Sequence, residues 1–177
     1  MKWLNTLFGE KKMAALAAGT PAPVFELPAL DGSKFSLQDA LSHGPVVAVF
    51  FKISCPVCQF AFPYFERLYK AHGGKKVSIV GISQNPKQDT AEFVKTYGIT
   101  FPVLLDDTKT YPVSNAYGLT NVPTAFWISE DGAIEISSVG WVRREFEEIA
   151  RKAASANGTT PEPVFQPTEQ IADFRAG

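Results

Sequence analysis

The chain contains two cysteines, Cys55 and Cys58, with Pro56 and Val57 between them. They follow the apolar run Val46-Val47-Ala48-Val49-Phe50-Phe51 and open a segment of helical periodicity. A thiol at the first turn of a helix meets unpaired backbone N–H groups and the positive end of the macrodipole, both of which favour an anion. The thiolate is the species that attacks a disulfide. A second thiol one turn further on is placed to attack the mixed disulfide so formed and release its other half. Cys55 is therefore the candidate nucleophile and Cys58 the candidate resolving thiol. Pro56 suits the first turn, where its missing N–H would be unpaired anyway. A purely structural bridge across so short a separation closes too small a loop to contribute much chain-entropy stabilisation. His43 and His72 are too scattered to complete a four-ligand zinc site with the cysteines, so no metal is expected.

The surrounding pattern has to position this pair. Residues 46–51 are apolar at every position, which predicts a central strand covered on both faces within a parallel sheet. The cysteine-bearing helix carries Phe60, Phe62, Phe65, Leu68 and Tyr69, ends near Gly73-Gly74, and contains Pro63, which is expected to kink it. A second buried strand over 77–82 leads to Asn85-Pro86, read as the N-cap and first-turn proline of a helix running to about Tyr97. Residues 101–105 are a short strand candidate and 111–117 a short helix. Two strands, 124–129 and 134–139, flank the Asp131-Gly132 turn as a hairpin, and 142–156 forms a closing amphipathic helix. Upstream, 24–27 and 34–36 form another hairpin around Asp31-Gly32-Ser33, followed by a helical turn at 37–41. Strands alternating with helices, then a hairpin and a last helix, predict an α/β fold with a central mixed sheet and helices on both faces.

The chain has 177 residues, of which 45% are hydrophobic and 20% charged, enough to form one ordered core rather than a disordered segment. It divides into an N-terminal extension (1–19), a redox domain (20–156) and a Pro-rich tail (157–177), read as an extended arm. Seventeen basic residues against eighteen acidic ones give no general attraction to nucleic acid or anionic lipid, so neither is an expected partner. No apolar stretch approaches the roughly 20 residues of a transmembrane helix. Met1-Lys2-Trp3-Leu4-Asn5-Thr6-Leu7-Phe8 opens like a secretory signal, but Gly9-Glu10-Lys11-Lys12 ends the run. A frayed or surface-packed N-terminal helix and a cytoplasmic location are the default expectations, with an extracytoplasmic location as the alternative.

The sequence resembles the thioredoxin superfamily, and within it the TlpA/ResA branch of thiol-disulfide oxidoreductases, relatives of the AhpC/TSA redoxins. The resemblance spans about residues 20–145. It is carried by Pro23-Val24-Phe25-Glu26-Leu27, by Asp31-Gly32-Ser33-Lys34-Phe35-Ser36-Leu37, by the Cys55-Pro56-Val57-Cys58 motif and by Phe62-Pro63. Tyr97-Gly98-Ile99-Thr100-Phe101-Pro102-Val103 and Tyr117-Gly118-Leu119-Thr120-Asn121-Val122-Pro123-Thr124-Ala125-Phe126 carry it further. It implies a thioredoxin-like fold in which Pro123 is cis, lies beside the dithiol and keeps metal ions from it, while the backbone at Val122 pairs with a bound polypeptide. Val122 and Pro123, with Pro56 and Val57, are then the residues that meet substrate. In this branch a buried acid below the dithiol helps move the proton when the resolving thiol attacks. Its positions here hold Val49 and Ala61, which cannot accept a proton, and the Trp common just before the first cysteine is Ser54. Lys52, the nearest ionisable side chain in sequence, is the candidate for tuning the thiolate electrostatically; the alternative is a surface lysine at a strand end.

The implied activity is electron exchange with protein or small-molecule disulfides, supplied by a thiol electron donor and requiring no cofactor. In the cytoplasm such a pair is kept reduced and acts as a reductant. Two other readings stand beside it. A peroxiredoxin holds its peroxide with a proline and a threonine seven and three residues before the reactive cysteine, where this chain has Ala48 and Lys52 and so lacks that hydroxyl. A non-catalytic binding module would draw on the missing acid and on Phe60, Phe62, Tyr64 and Phe65, aromatics that also read as core packing.

Overall fold

The computed structural model describes residues 14–177, so the expected N-terminal helix and the signal-like opening lie outside the described residues. Strands β1 (Glu26–Pro28) and β2 (Lys34–Ser36) pair antiparallel around a turn in which Gly32 takes φ 88°. Helix α1 (Leu37–Leu41) starts at Ser36, whose hydroxyl accepts the Asp39 N–H at 3.2 Å. There follow β3 (Val46–Phe51), α2 (Pro56–His72), β4 (Ser78–Ser83), α3 (Lys87–Tyr97), β5 (Val103–Leu105) and α4 (Pro112–Ala116). Next come β6 (Thr124–Ile128), β7 (Ile134–Val139), β8 (Trp141–Val142), α5 (Arg143–Ala156) and β9 (Phe174–Arg175).

The main sheet has the order β5-β4-β3-β6-β7, with β3 parallel to β4 and antiparallel to β6. All six residues of β3 are buried. Val47, Val49 and Phe51 face a cluster that contains Phe62 and Phe65 of α2, Phe93 of α3 and Phe146 and Ile149 of α5. Val46, Ala48 and Phe50 face the other side, with Leu27, Leu37, Val113, Tyr117 and Phe126. A strand covered in this way on both faces has no polar side to offer water, which is the physical content of its uninterrupted apolar sequence. The expected α/β architecture, with a central mixed sheet, flanking helices and an N-terminal hairpin, is the one observed.

The differences are local. The first strand begins at Glu26 rather than Val24, whose side chain is 72% exposed. The fifth begins at Val103, past Pro102, which has no N–H for a ladder. The last helix begins at Arg143, because Trp141 and Val142 are taken into a strand whose partners, Arg175 and Phe174, lie far along the chain.

Those partners belong to the C-terminal tail. Residues 157–177 fold back onto α2 and α5, with Val164 and Ile171 buried and Phe165 packed against Tyr64, Trp141 and Phe146. Arg67 donates two hydrogen bonds to the Glu169 carboxylate, at 2.8 and 2.7 Å. Those bonds and one from the Gln166 N–H hold the Glu169 carboxyl down to about 2. The indole N–H of Trp141 donates to the Ala172 carbonyl at 2.7 Å, Arg143 N–H donates to Asp173 O at 2.9 Å, and β9 pairs with β8.

Candidate active site

Strand register brings the site together. In the antiparallel β3–β6 pair, Phe50 lies opposite Thr124, so the carboxyl end of β3 and the residues just before β6 meet at one end of the sheet. Lys52 to Cys55 leave β3 there, and Val122-Pro123 enter β6 there. The Val122–Pro123 peptide is cis and Pro123 is buried.

Cys55 is the N-cap of α2. Its Sγ accepts the Cys58 backbone N–H at 3.2 Å, satisfying one of the orphan donors of the first turn. The same thiol donates to the Val122 carbonyl at 3.2 Å. Cys55 is half-buried, Cys58 is fully buried, and both are free thiols. Burial pushes the Cys58 thiol far above its ordinary value, and its contact with Cys55 acts in the same direction. The pair thus has one sulfur that a substrate can reach and one that only the first sulfur can reach.

The loop between β3 and α2 is fixed at both backbone groups of Ile53. Its N–H donates to the Asn85 side-chain oxygen at 2.9 Å, and its carbonyl accepts from the Gln59 side-chain amide at 2.9 Å. Asn85 therefore does not cap α3 as its sequence context suggests. Pro86 holds the N-cap position, so the Asn85 side chain is left to cross to the neighbouring loop. Gln59 and Asn85 are the positioning residues that sequence reasoning missed. For Asn85 the available signal was its place at the carboxyl end of a buried parallel strand, where open α/β sheets build their sites. Asn85→Ala is expected to destabilise the protein by about 1–3 kcal/mol, the cost of an unpaired, partly buried N–H at Ile53. Asn85→Asp, which keeps the acceptor, should recover most of it in urea melts. An unchanged midpoint for the alanine variant would mean that water replaces the bond at no cost.

Val49 and Ala61 are both fully buried in the cluster that contains Cys58, and neither offers a proton acceptor. Glu66, also buried, lies about two turns further along α2. Its carboxylate is taken by the Thr100 N–H at 2.8 Å and by the Thr100 hydroxyl. Lys52 is exposed, as are Pro56 and Ser54, and Val57 and Val122 are half-buried. The link from Lys52 to the dithiol is through backbone: its carbonyl accepts the Cys55 N–H at 3.3 Å. Of the four aromatics near the motif, Phe62 and Phe65 are core, while Phe60 and Tyr64 are half-buried against Trp141. Among the described residues, no group of three or more His, Cys, Asp or Glu side chains is placed to hold a metal, and no helix is long and apolar enough to cross a membrane.

The AhpC/TSA family matches residues 18–137. The thiol-disulfide oxidoreductase ResA of Geobacillus thermodenitrificans is 32% identical over 139 residues, covering 78% of this chain and 77% of that protein. A thiol:disulfide interchange protein of the thioredoxin family from Chlorobium tepidum superposes with a TM-score of 0.65 at 28% identity, covering 78% of this chain and 99% of its own. The peroxidoxin BcpB of Mycobacterium tuberculosis superposes with a TM-score of 0.61 at 28% identity, covering 80% and 96%. A dithiol at the head of a helix, beside a cis-proline loop on a five-stranded mixed sheet, is thus shared with relatives in sequence and in fold, and the chain belongs to the AhpC/TSA family as a ResA-like thiol-disulfide oxidoreductase of the thioredoxin superfamily.

Proposed function

We propose that Cys55 is the attacking thiol and Cys58 the resolving thiol in the reduction of protein disulfides, with small-molecule disulfides as further substrates. The Cys55 thiolate attacks one sulfur of the substrate, forming a mixed disulfide and expelling the other sulfur as a thiolate. Cys58 then loses its proton and attacks Cys55 Sγ, closing the Cys55–Cys58 disulfide and releasing the second substrate thiolate. Two electrons pass from the dithiol to the substrate, and a thiol donor restores the dithiol. The observation that carries this reading is the pair of contacts at Cys55 Sγ, to the Cys58 N–H and to the Val122 carbonyl, with Cys58 fully buried behind it. With the cytoplasm as its compartment the pair serves as a reductant, and equilibration with glutathione redox buffers measures whether its potential suits that direction. Insulin reduction driven by dithiothreitol tests the activity. Catalysis that disappears in Cys55→Ser supports it, and a wild-type rate no higher than that of Cys55→Ser overturns it.

The likeness to the peroxidoxin favours peroxide reduction at Cys55 as a second reading. Its expected sign is peroxide consumption with a sulfenate at Cys55, against which stands Lys52 in place of a threonine hydroxyl.

Resolution requires deprotonation of a thiol whose burial disfavours the charged form, with no carboxylate at Val49 or Ala61 to take the proton. The resolving step is therefore expected to accelerate as pH rises through neutrality. Ala61→Glu should speed reduction of a model disulfide by about 10-fold or more near pH 7, on the scale of general-base catalysis. In a Cys58→Ser background the same substitution should give no gain. If Ala61→Glu leaves the rate unchanged while the wild type resolves quickly at pH 6, another group is the base.

A further inference from the structure

We propose that residues 174–177 of this chain occupy the peptide edge formed by Phe60, Val122 and Gly140 beside Cys55, and that an extended peptide disulfide has to displace them to reach the thiol. This rests on the oxidoreductase reading above and adds to it the competitor that the substrate meets.

The geometry starts from one atom. The Val122 carbonyl oxygen receives the Cys55 thiol at 3.2 Å, so a peptide whose sulfur reaches Cys55 must run past Val122. The C-terminal segment already does so. A Cβ built on Gly177 would stand 2.4 Å from the Val122 oxygen and 2.9 Å from its carbon, so the Gly177 backbone lies directly on that peptide group. The Gly177 carbonyl accepts the Asn121 side-chain amide at 2.9 Å. Cys55 Sγ and the tail therefore touch the same carbonyl group.

The edge is also fitted to an extended chain. Trp141 and Val142 pair antiparallel with Arg175 and Phe174, so strand addition is in use at this place, supplied in cis. Gly140, at φ 75°, keeps the path open. A Cβ there would stand 2.6 Å from the Arg175 carbonyl and 3.1 Å from the Gly177 nitrogen, which would push the incoming strand off. The Arg175 guanidinium sits 4.1 Å from the centre of the Phe60 ring, an aromatic face four residues beyond Pro56 on the cysteine helix. Phe174 is 62% exposed and Arg175 to Gly177 are exposed, so the last residues are held at their inner side only, unlike Val164 and Ile171 upstream. An occupant with a buried anchor and an exposed tip can yield the tip while the anchor stays. A peptide substrate that takes over this strand position is expected to set a cation over Phe60 and a small residue against Val122, as the tail does.

The test uses the full chain. Gly177→Val cannot keep its backbone on Val122, and Arg175→Glu replaces the cation over Phe60 with an anion. Insulin serves as the peptide disulfide and hydroxyethyl disulfide as a substrate too small to need the edge. Each variant is expected to raise kcat/KM for insulin at least about 3-fold, mainly through KM, because the docking-competent fraction rises. Hydroxyethyl disulfide reduction should change by less than about 2-fold, since Cys55 itself is untouched. Insulin reduction that is unchanged or slower in both variants overturns the proposal, as does equal acceleration of both substrates, which would indicate a general opening of the site. If neither the wild type nor the variants exceed Cys55→Ser, the oxidoreductase reading fails instead.

Discussion

Replacing Cys58 by Ser is expected to arrest the protein as a mixed disulfide between Cys55 and its substrate. Cys58 is the one other thiol in the sequence, and it lies buried directly behind Cys55. Without it, release depends on an external thiol at millimolar concentration. Well-oriented intramolecular attack corresponds to effective molarities of roughly 10⁵ M or more, so turnover should fall by at least about 10³-fold. Intact-mass measurement should show the substrate half attached through Cys55, with no adduct in Cys55→Ser. Turnover within a factor of about ten of the wild type would mean that the external donor resolves the intermediate directly and that Cys58 has another role.

Trp141→Ala carries the largest expected loss of stability. The indole is 2% exposed and packs against Phe60, Tyr64, Phe146 and Phe165, joining α2, α5 and the tail in one aromatic cluster. Truncating a buried Trp leaves a cavity and costs about 3–5 kcal/mol. It also strands the Ala172 carbonyl that the indole N–H now satisfies. Trp141→Phe keeps most of the volume and should cost much less. Urea denaturation measures both, and a loss below about 1 kcal/mol for the alanine variant would show that the tail and α5 close over the gap.

The elements near the dithiol were legible because local pattern and tertiary environment agree there. A six-residue apolar run rich in valine and phenylalanine is the pattern of a doubly covered strand, and a cysteine pair separated from its end by three residues, followed by helical periodicity, falls at the head of the next helix. The Asp131-Gly132 turn and the helix around Phe93 were legible for the same reason. What escaped was decided by partners distant in sequence. Trp141 and Val142 carry no mark that separates a strand from the first turn of α5, because the difference lies in Phe174 and Arg175. The tail reads as an extended proline-rich arm by composition, and its anchors, two buried aliphatic residues, one phenylalanine and an Arg67–Glu169 pair, all depend on partners in α2 and α5. Asn85 next to a proline has the local signature of a helix cap, and only the proximity of Ile53 across the sheet gives it another use. Val49 and Ala61 were identified from the resemblance, since an apolar residue in a core has no signature of its own.

The opposition of Phe50 to Thr124 has a consequence for how this chain can change length. Cys55 and Val122 stand 67 positions apart in the chain, and their meeting depends on one strand pairing. Adding or removing a single residue within 46–51 or 124–128 would slip that pairing by one place, turn alternate side chains to the opposite face, and separate the thiol from its carbonyl partner. The exposed turn around Asp131, between two strands already in register, can accept extra residues at little entropic cost because closure entropy grows only slowly with loop length. Insertions and deletions among descendants of this sequence should therefore gather at such turns and at the far end of the sheet, while the spacing on either side of the dithiol stays fixed even where the residues themselves are replaced.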